Sequence, residues 1–241
     1  MAATHHDNEV RVELIRDAED FEHCFVCLAE AFGRQANDTI WISSNPGWDT
    51  SVGARKNTEH MIDQWRKANK NTLHLKASIQ ETSQPHSRRI VGFAIWSQLS
   101  MVPGQGERPK EWKPSDFEDQ HPGDELEQRY ISQMLNSLQR HRRTYVSELA
   151  GRTPASVMAL DICAVHPAFQ RRGVASKLVE RGLSEAKQRG NLEAVTEASS
   201  MGRHVYAKLG FRPRAEIKFE IDEDFADRVS PSNLFMRTGS T

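Results

Sequence analysis

Two hydrophobic periodicities take turns along the chain. Val10-Arg-Val-Glu-Leu-Ile15 alternates apolar and polar positions, as a half-buried strand does. Asp17 can cap a following helix and Gly33 can end it, and between them Phe21, Cys24, Phe25, Leu28 and Phe32 share one helical face. Residues 34–57 read as loop, with Asn45-Pro46-Gly47-Trp48 as a turn, and a second helix fits Thr58 to Lys67. Leu73, Leu75, Ala77 and Ile79 alternate as a second strand. After a turn at Gln84-Pro85-His86-Ser87, Ile90 to Trp96 returns as a third, making a hairpin. Further on, Val157 to Val165 is almost wholly apolar, which suits a central strand. A loop from His166 to Arg172 leads into a helix from Gly173 to Arg189, with Val174, Leu178, Val179, Leu183 and Ala186 as its buried stripe. Leu192 to Ala198 reads as a strand and Ser200 to Lys208 as a short helix. Ile217, Phe219 and Ile221 alternate as a strand, and Leu234-Phe-Met236 forms the last one.

One stretch breaks the alternation. Residues 98–123 hold four prolines and three glycines, and a loop of that length inside a domain is usually functional or disordered, so a lid is one reading. Asp124 and Glu127 then suit a capping box for a helix that places Leu126, Tyr130, Ile131, Met134, Leu135 and Leu138 on one face. Its basic end, Arg140-His-Arg-Arg143, reads as a solvated, dipole-favoured C-terminus. The order of elements predicts an α/β fold: a mixed sheet flanked by helices, in a single domain over 9–241 with a long Pro/Gly-rich insert at 98–124, after a flexible N-terminus at 1–8.

Composition narrows the function classes. The chain has 241 residues, 37% of them apolar, enough to bury a core without disulfides or metal. Lys+Arg is 32 and Asp+Glu 33, which excludes a strongly basic nucleic-acid wrapper. No apolar run is long enough to span a bilayer, and the opening MAATHHDNEV has no apolar core of a signal peptide. Three cysteines cannot form a disulfide framework, so a reducing, cytoplasmic setting is expected. Cys24 and Cys27 form a C-x-x-C, but they lie within a helical pattern and lack a second ligand pair, so they read as small core residues and no metal site is expected.

The informative stretch is Leu160-Asp-Ile-Cys-Ala-Val-His-Pro-Ala-Phe-Gln170-Arg171-Arg172-Gly173-Val174-Ala175-Ser176: an apolar strand, a basic loop with a glycine, and an immediate amphipathic helix. The first N–H groups of such a helix have no intrahelical partner and the dipole favours an anion there, so the segment can cradle a phosphate. Gly173 and Ala175 are small enough for close backbone approach, and Arg171 and Arg172 add positive charge. Neither G-x-x-x-x-G-K-[ST] nor G-x-G-x-x-G is present.

Gln170-x-x-Gly173-x-Ala175 resembles the Q/R-x-x-G-x-G/A pyrophosphate loop of the GNAT N-acetyltransferase superfamily. Ala164-Val165-His166-Pro167 resembles the end of that family's fourth strand, and Tyr206-Ala-Lys208-Leu209-Gly210-Phe211 its Y-x-x-x-G-F segment. The resemblance is sharp over 157–211, weaker over 8–97, and does not explain 98–124. It implies acetyl-CoA as cosubstrate and an amine acceptor. The fourth and fifth strands would splay, backbone groups of Cys163 and Val165 would pair with the pantetheine arm, and N–H groups from Arg171 to Ser176, Val174 included, would hold the pyrophosphate. The acceptor nitrogen would attack the thioester directly, without a covalent enzyme intermediate.

The resemblance makes Tyr206 the candidate general acid toward the CoA sulfur, with packing as its competing role. Asp161 stands in an apolar strand, where a carboxylate needs a reason: a general base, or a partner for backbone or an arginine. Glu197 is the second candidate base, and Glu193, on the same face, is expected to meet solvent. Phe32, Trp41, Trp48 and Trp65 suggest an aromatic-lined acceptor pocket, although core packing is the commoner use of tryptophan. The expected activity is acetylation of a small-molecule or short-peptide amine. Rival readings are a protein N-terminal or lysine acetyltransferase, a non-catalytic CoA-binding module, and a nucleic-acid binder using Arg140 to Arg143.

Overall fold

The computed structural model describes residues 9–81 and 87–239; the expected N-terminal lead-in and most of the Gln84–Ser87 turn lie outside the described residues. Seven strands form one sheet in the order β1-β2-β3-β4-β5-β7-β6: β1 (Arg11–Leu14), β2 (Thr72–Gln80), β3 (Arg88–Ser100), β4 (Ser156–Val165), β5 (Glu193–Ser199), β6 (Arg212–Glu216) and β7 (Asn233–Arg237). Neighbours run antiparallel except β4 and β5, which are parallel. A parallel pair needs a crossover, and α6 (Val174–Gln188) provides it. On one face, α6 and α7 (Arg203–Lys208) bury Leu178, Val179 and Tyr206 against Leu75, Trp96, Met158 and Leu160. On the other face, α1 (Asp20–Leu28), α3 (Ser51–Lys67) and α5 (Arg140–Glu148) cover Phe93, Ala164, Val157 and Val195. α2 (Thr39–Ser44) and α4 (Glu125–Leu138) share a satellite cluster with Phe117 and Phe225. Cys24 and Cys27 are buried free thiols within this packing.

Several expectations are corrected. Asp17 offers no side-chain cap to α1; backbone turns from Asp17 and Ala18 lead into it instead. The helix does not end at Gly33 but widens into a π-helical turn over Ala29–Gln35. Gly33 is needed there for close approach, since a Cβ would meet the Trp48 ring at 2.6 Å. Most of 34–57 is helix rather than loop: Asp38 caps α2 through the Trp41 amide and Thr50 caps α3 through the Gly53 amide. The polar first half of α3 carries little apolar periodicity, which is why the pattern detects only its end. Ile217, Phe219 and Ile221 alternate without forming a strand; they pack onto the clusters below α4 and α5, and the edge strand β6 precedes them.

The stretch at 98–124 is not a detached insert. β3 continues through Ser100, and Glu107 exchanges backbone hydrogen bonds with Gln98 and Ser100. Trp112 and Asn136 of α4 exchange backbone–amide hydrogen bonds at 3.0 and 2.8 Å, and Phe117, in a short 3-10 turn, is buried. The segment is a strap fastened to α4 rather than a free lid.

Candidate functional site

The β4–β5 pairing stops early. Val157–Leu160 pairs with Glu193–Thr196, and there the two strands part. Beyond that point β4 stays with β3, while β5 stays with β7. A β-bulge falls at the parting: Ile95 pairs with Ile162 and Trp96 with Leu160, so Asp161 is the extra residue. The His166 amide bonds the Val91 carbonyl at 2.9 Å, which makes 166/91, 164/93 and 162/95 the hydrogen-bonded pairs. The backbone groups of Cys163 and Val165 therefore turn away from β3, toward the gap.

At the far end of β4, Pro167–Phe169 forms a 3-10 turn, and Arg171 and Gly173 both adopt left-handed conformations, φ 62° and 79°. They reverse the chain so that α6 opens with no side-chain cap on its first amides, Val174, Ala175 and Ser176 among them. A Cβ at Gly173 would meet nothing within 4 Å, so this side of the loop is open. Gln170 is held from behind: its amide donates to the Val165 carbonyl at 3.1 Å and forms a reciprocal pair with Gln35 at 2.7 and 3.1 Å. The guanidiniums of Arg89 and Arg172 lie over the Phe169 ring, 5.1 and 5.3 Å from its centroid. The loop thus joins two conditions for anion binding, unpartnered helix-start amides and fixed positive charge.

Tyr206 is buried on the α6 side and packs against Phe211 at 5.8 Å. Its hydroxyl is hydrogen-bonded to the Cys163 thiol. Burial, reinforced by Cys163, raises the phenol well above its ordinary range, and burial pushes Cys163 up to about 12. Both groups hold their protons at neutral pH.

The opposite face carries the charges. Arg142 of α5 reaches the point where the strands part. Its Nε donates to Glu197 Oε1 at 3.0 Å, its Nη2 to Glu197 Oε2, and its Nη1 to Asp161 Oδ1. Ser97 donates to Asp161 Oδ2 at 2.6 Å. Arg142 and Glu197 side chains are each 5% exposed, whereas Asp161 retains 26%. Burial works against the Arg142 charge, but Glu197 and Asp161 outweigh it and hold the guanidinium protonated. Burial raises the Glu197 carboxyl, with Arg142 opposing. Glu193, by contrast, is half-buried beside Arg237 at 3.6 Å rather than free in solvent.

Of the readings open for Asp161, the structure brings an arginine to it. Arg142 comes from the basic cluster read as a solvated helix end, and that reading is overturned. α4 ends at Leu138, the cluster opens α5, Arg140 pairs with Glu220, and Arg142 is buried. The signal was present: Leu138, Arg142, Tyr145, Val146 and Leu149 follow helical spacing, which puts Arg142 on the apolar stripe. Two further residues had no local signal. Ser97 is known only through its bond to Asp161. His74 of β2 packs edge-on to Phe21 at 6.0 Å and beside Phe93, with burial lowering its pKa to about 4 against a counteracting effect of Asp161. A cleft of about 380 Å³ between the end of β1, the start of β2 and the C-terminus of α3 is lined by Trp65 and His74. Trp41 instead packs with Phe25, Phe32 and Trp48, at 5.7–6.3 Å.

Among the described residues no helix is long and apolar enough to cross a membrane. No curated protein matches the sequence. Solved structures match almost throughout. Arylalkylamine N-acetyltransferase 2 from Aedes aegypti is 17% identical, with TM-score 0.60, 95% of this chain and 98% of that one covered. The polyamine N-acetyltransferase of Drosophila melanogaster, which forms N-acetylagmatine, is 11% identical, with TM-score 0.59 and 95% and 98% covered. The PaiA N-acetyltransferase of Thermoplasma acidophilum, solved with coenzyme A, is 13% identical, with TM-score 0.50 and 96% and 99% covered. The model of the acetyltransferase (GNAT) family matches residues 107–211, a stretch that runs from the later part of the docked strap through the splayed strand and the uncapped start of α6 to Phe211.

Proposed function

We propose that the protein moves an acetyl group from acetyl-CoA to the amine of a small molecule or short peptide that enters as a cation. The observation that carries this reading is the parting of β4 and β5, with the α6 cradle at one end and Asp161 at its vertex. Acetyl-CoA supplies the activated acyl carbon and a thiolate leaving group. The Arg171–Ser176 amides and Gly173 hold its pyrophosphate. Backbone groups of Cys163 and Val165 pair with its pantetheine arm. The Gln170 side chain, already committed to Val165 and Gln35, braces the loop.

On the acceptor face two carboxylates meet one guanidinium, so the floor is net negative and favours an ammonium. Glu197 is locked by both its oxygens and shut away, which makes it a support rather than a base. Asp161 keeps solvent access and receives the ammonium proton, directly or through a water. The neutral nitrogen then attacks the thioester carbon, the C–N bond forms, the C–S bond breaks, and Tyr206 gives its proton to the departing sulfur. The free cysteines suit the reducing, cytoplasmic setting in which acetyl-CoA is available.

Thermal unfolding with acetyl-CoA, against free adenine nucleotide as control, tests the donor side. At about a hundred times Kd the stabilisation should be roughly 2.7 kcal/mol. CoA release with a panel of arylalkylamines, polyamines and short peptides tests the acceptor side, and Asp161→Asn should lower kcat/KM by about 100-fold or more. Binding of acetyl-CoA with no release for any amine would make the protein a CoA-binding module instead.

A further inference from the structure

Resting on the function proposed above, we propose that Arg142 is the positioning residue of the acceptor site, aiming the Asp161 carboxylate at the incoming amine from the point where β4 and β5 part.

The argument begins with the bulge. Asp161 is the residue of β4 with no cross-strand partner of its own, so sheet register alone does not fix its direction. Two side chains supply what the ladder does not: Ser97 holds Oδ2 at 2.6 Å and Arg142 holds Oδ1. Arg142 can do this because its own plane is fixed. Glu197 takes Nε and Nη2 together, a two-point contact that leaves Nη1 pointing along one direction. Glu197 in turn belongs to β5, whose backbone there pairs with β7 and receives the Asn233 amide at its carbonyl, 3.2 Å. The guanidinium therefore ties the two strands at the place where their own hydrogen bonds end.

A purely structural role is the weaker account. Burying an ion triad is a costly way to stabilise a core, since apolar side chains of similar size usually do as well or better. The triad is also unequal. Arg142 and Glu197 are closed off at 5% exposure, while Asp161 opens at 26%, so the arrangement presents one carboxylate and hides the rest. The charged or titratable groups that face it are Arg142 from α5, Glu197 from β5 and His74 from β2.

Arg142→Lys keeps the charge but cannot grip Glu197 at two points and Asp161 at once. Turnover of an accepted amine, stabilisation by acetyl-CoA and melting temperature would be measured for the wild type, Arg142→Lys, Asp161→Asn and the double variant. Arg142→Lys is expected to keep its stabilisation by acetyl-CoA and lose about 100-fold in kcat, the size of effect that a small misplacement produces. In the Asp161→Asn background the same change is expected to cost less than about threefold, because the two residues act as one unit. Losses that multiply, or wild-type turnover in folded Arg142→Lys, would overturn the assignment. If Arg142→Lys does not fold, Arg142→Met with Glu197→Gln removes both buried charges together and must show the same loss; full activity there would also overturn it. A wild type that releases no CoA with any amine would instead refute the acetyltransferase reading, and the role of Arg142 with it.

Discussion

The loop that opens α6 and the cluster at the parting of β4 and β5 face the same gap, yet they are made differently. The loop is backbone: a turn, two left-handed residues and the first amides of a helix, all within Pro167–Ser176. The cluster is side chains brought together from residues 97, 142, 161 and 197, on β3, α5, β4 and β5. A site of the first kind depends on local conformation and tolerates changes of side chain that keep the backbone. A site of the second kind depends on the fold as a whole and fails when one partner is lost.

The largest effect should come from charge placed inside the backbone site. Gly173→Glu puts a carboxylate at the helix start, where the phosphate would lie, and is expected to abolish stabilisation by acetyl-CoA. Its left-handed φ of 79° adds a strain of about 1–2 kcal/mol, so the melting temperature should fall modestly while the protein stays folded. Gly173→Asn, a residue that accepts this conformation without the charge, should keep most of the binding. Normal acetyl-CoA binding by folded Gly173→Glu would show that the cradle is elsewhere, and the contrast between the two regions would collapse.

The same contrast explains what the sequence disclosed. Gln170-x-x-Gly173-x-Ala175 is legible because the residues that make the loop are neighbours in the chain, and the strand before it and helix after it each carry their own periodicity. Asp161 is legible as an oddity, a carboxylate in an apolar strand, and Glu197 through its place at the end of the fifth strand, where the resemblance puts the splay. What joins them is not, because Arg142 lies in a run of four basic or imidazole residues whose composition suggests a solvated surface. Only its place on the stripe with Tyr145 and Val146 betrays the burial. The helices α2 and the first half of α3 were missed for a related reason. Their starts are set by Asp38 and Thr50 caps, while their apolar positions are too few to mark a period. The Ile217–Ile221 alternation misled in the other direction, since burial against α4 and α5 gives the same pattern as a strand does.

A smaller effect is expected at Tyr206, which belongs partly to each region: its ring packs in the core under α6 while its hydroxyl reaches Cys163 on β4. Tyr206→Phe keeps the packing and removes the proton. Turnover should drop by about 100-fold, with acetyl-CoA affinity changed by less than about threefold. Steady-state kinetics beside a binding titration separates the two. Equal losses in turnover and affinity would return Tyr206 to a packing role and leave the leaving thiolate to take its proton from water.

The last effect concerns pH and is read in stability rather than turnover, and it should belong to the acceptor face alone. His74 titrates at about 4 in the fold because burial between Phe21 and Phe93 disfavours its charge more than nearby Asp161 favours it. An unfolded chain binds that proton near the ordinary histidine value of about 6.5. Between these two values the unfolded state carries the proton and the folded state does not. Stability must therefore fall as pH drops from about 6.5 toward 4, by up to about 1.4 kcal/mol per pH unit from this residue. His74→Phe preserves an aromatic ring against Phe21 and removes the titration, so urea midpoints measured across this window should slope less steeply than in the wild type. The protonatable carboxylates leave some slope in both. The added stabilisation from a fixed excess of acetyl-CoA should change equally with pH in the two proteins, because the cradle at α6 does not include His74. Identical slopes for the free proteins would mean that His74 takes up its proton within the fold at no cost. It would then be open to solvent through the cleft beside Trp65, and the acceptor face would be wetter than its packing indicates.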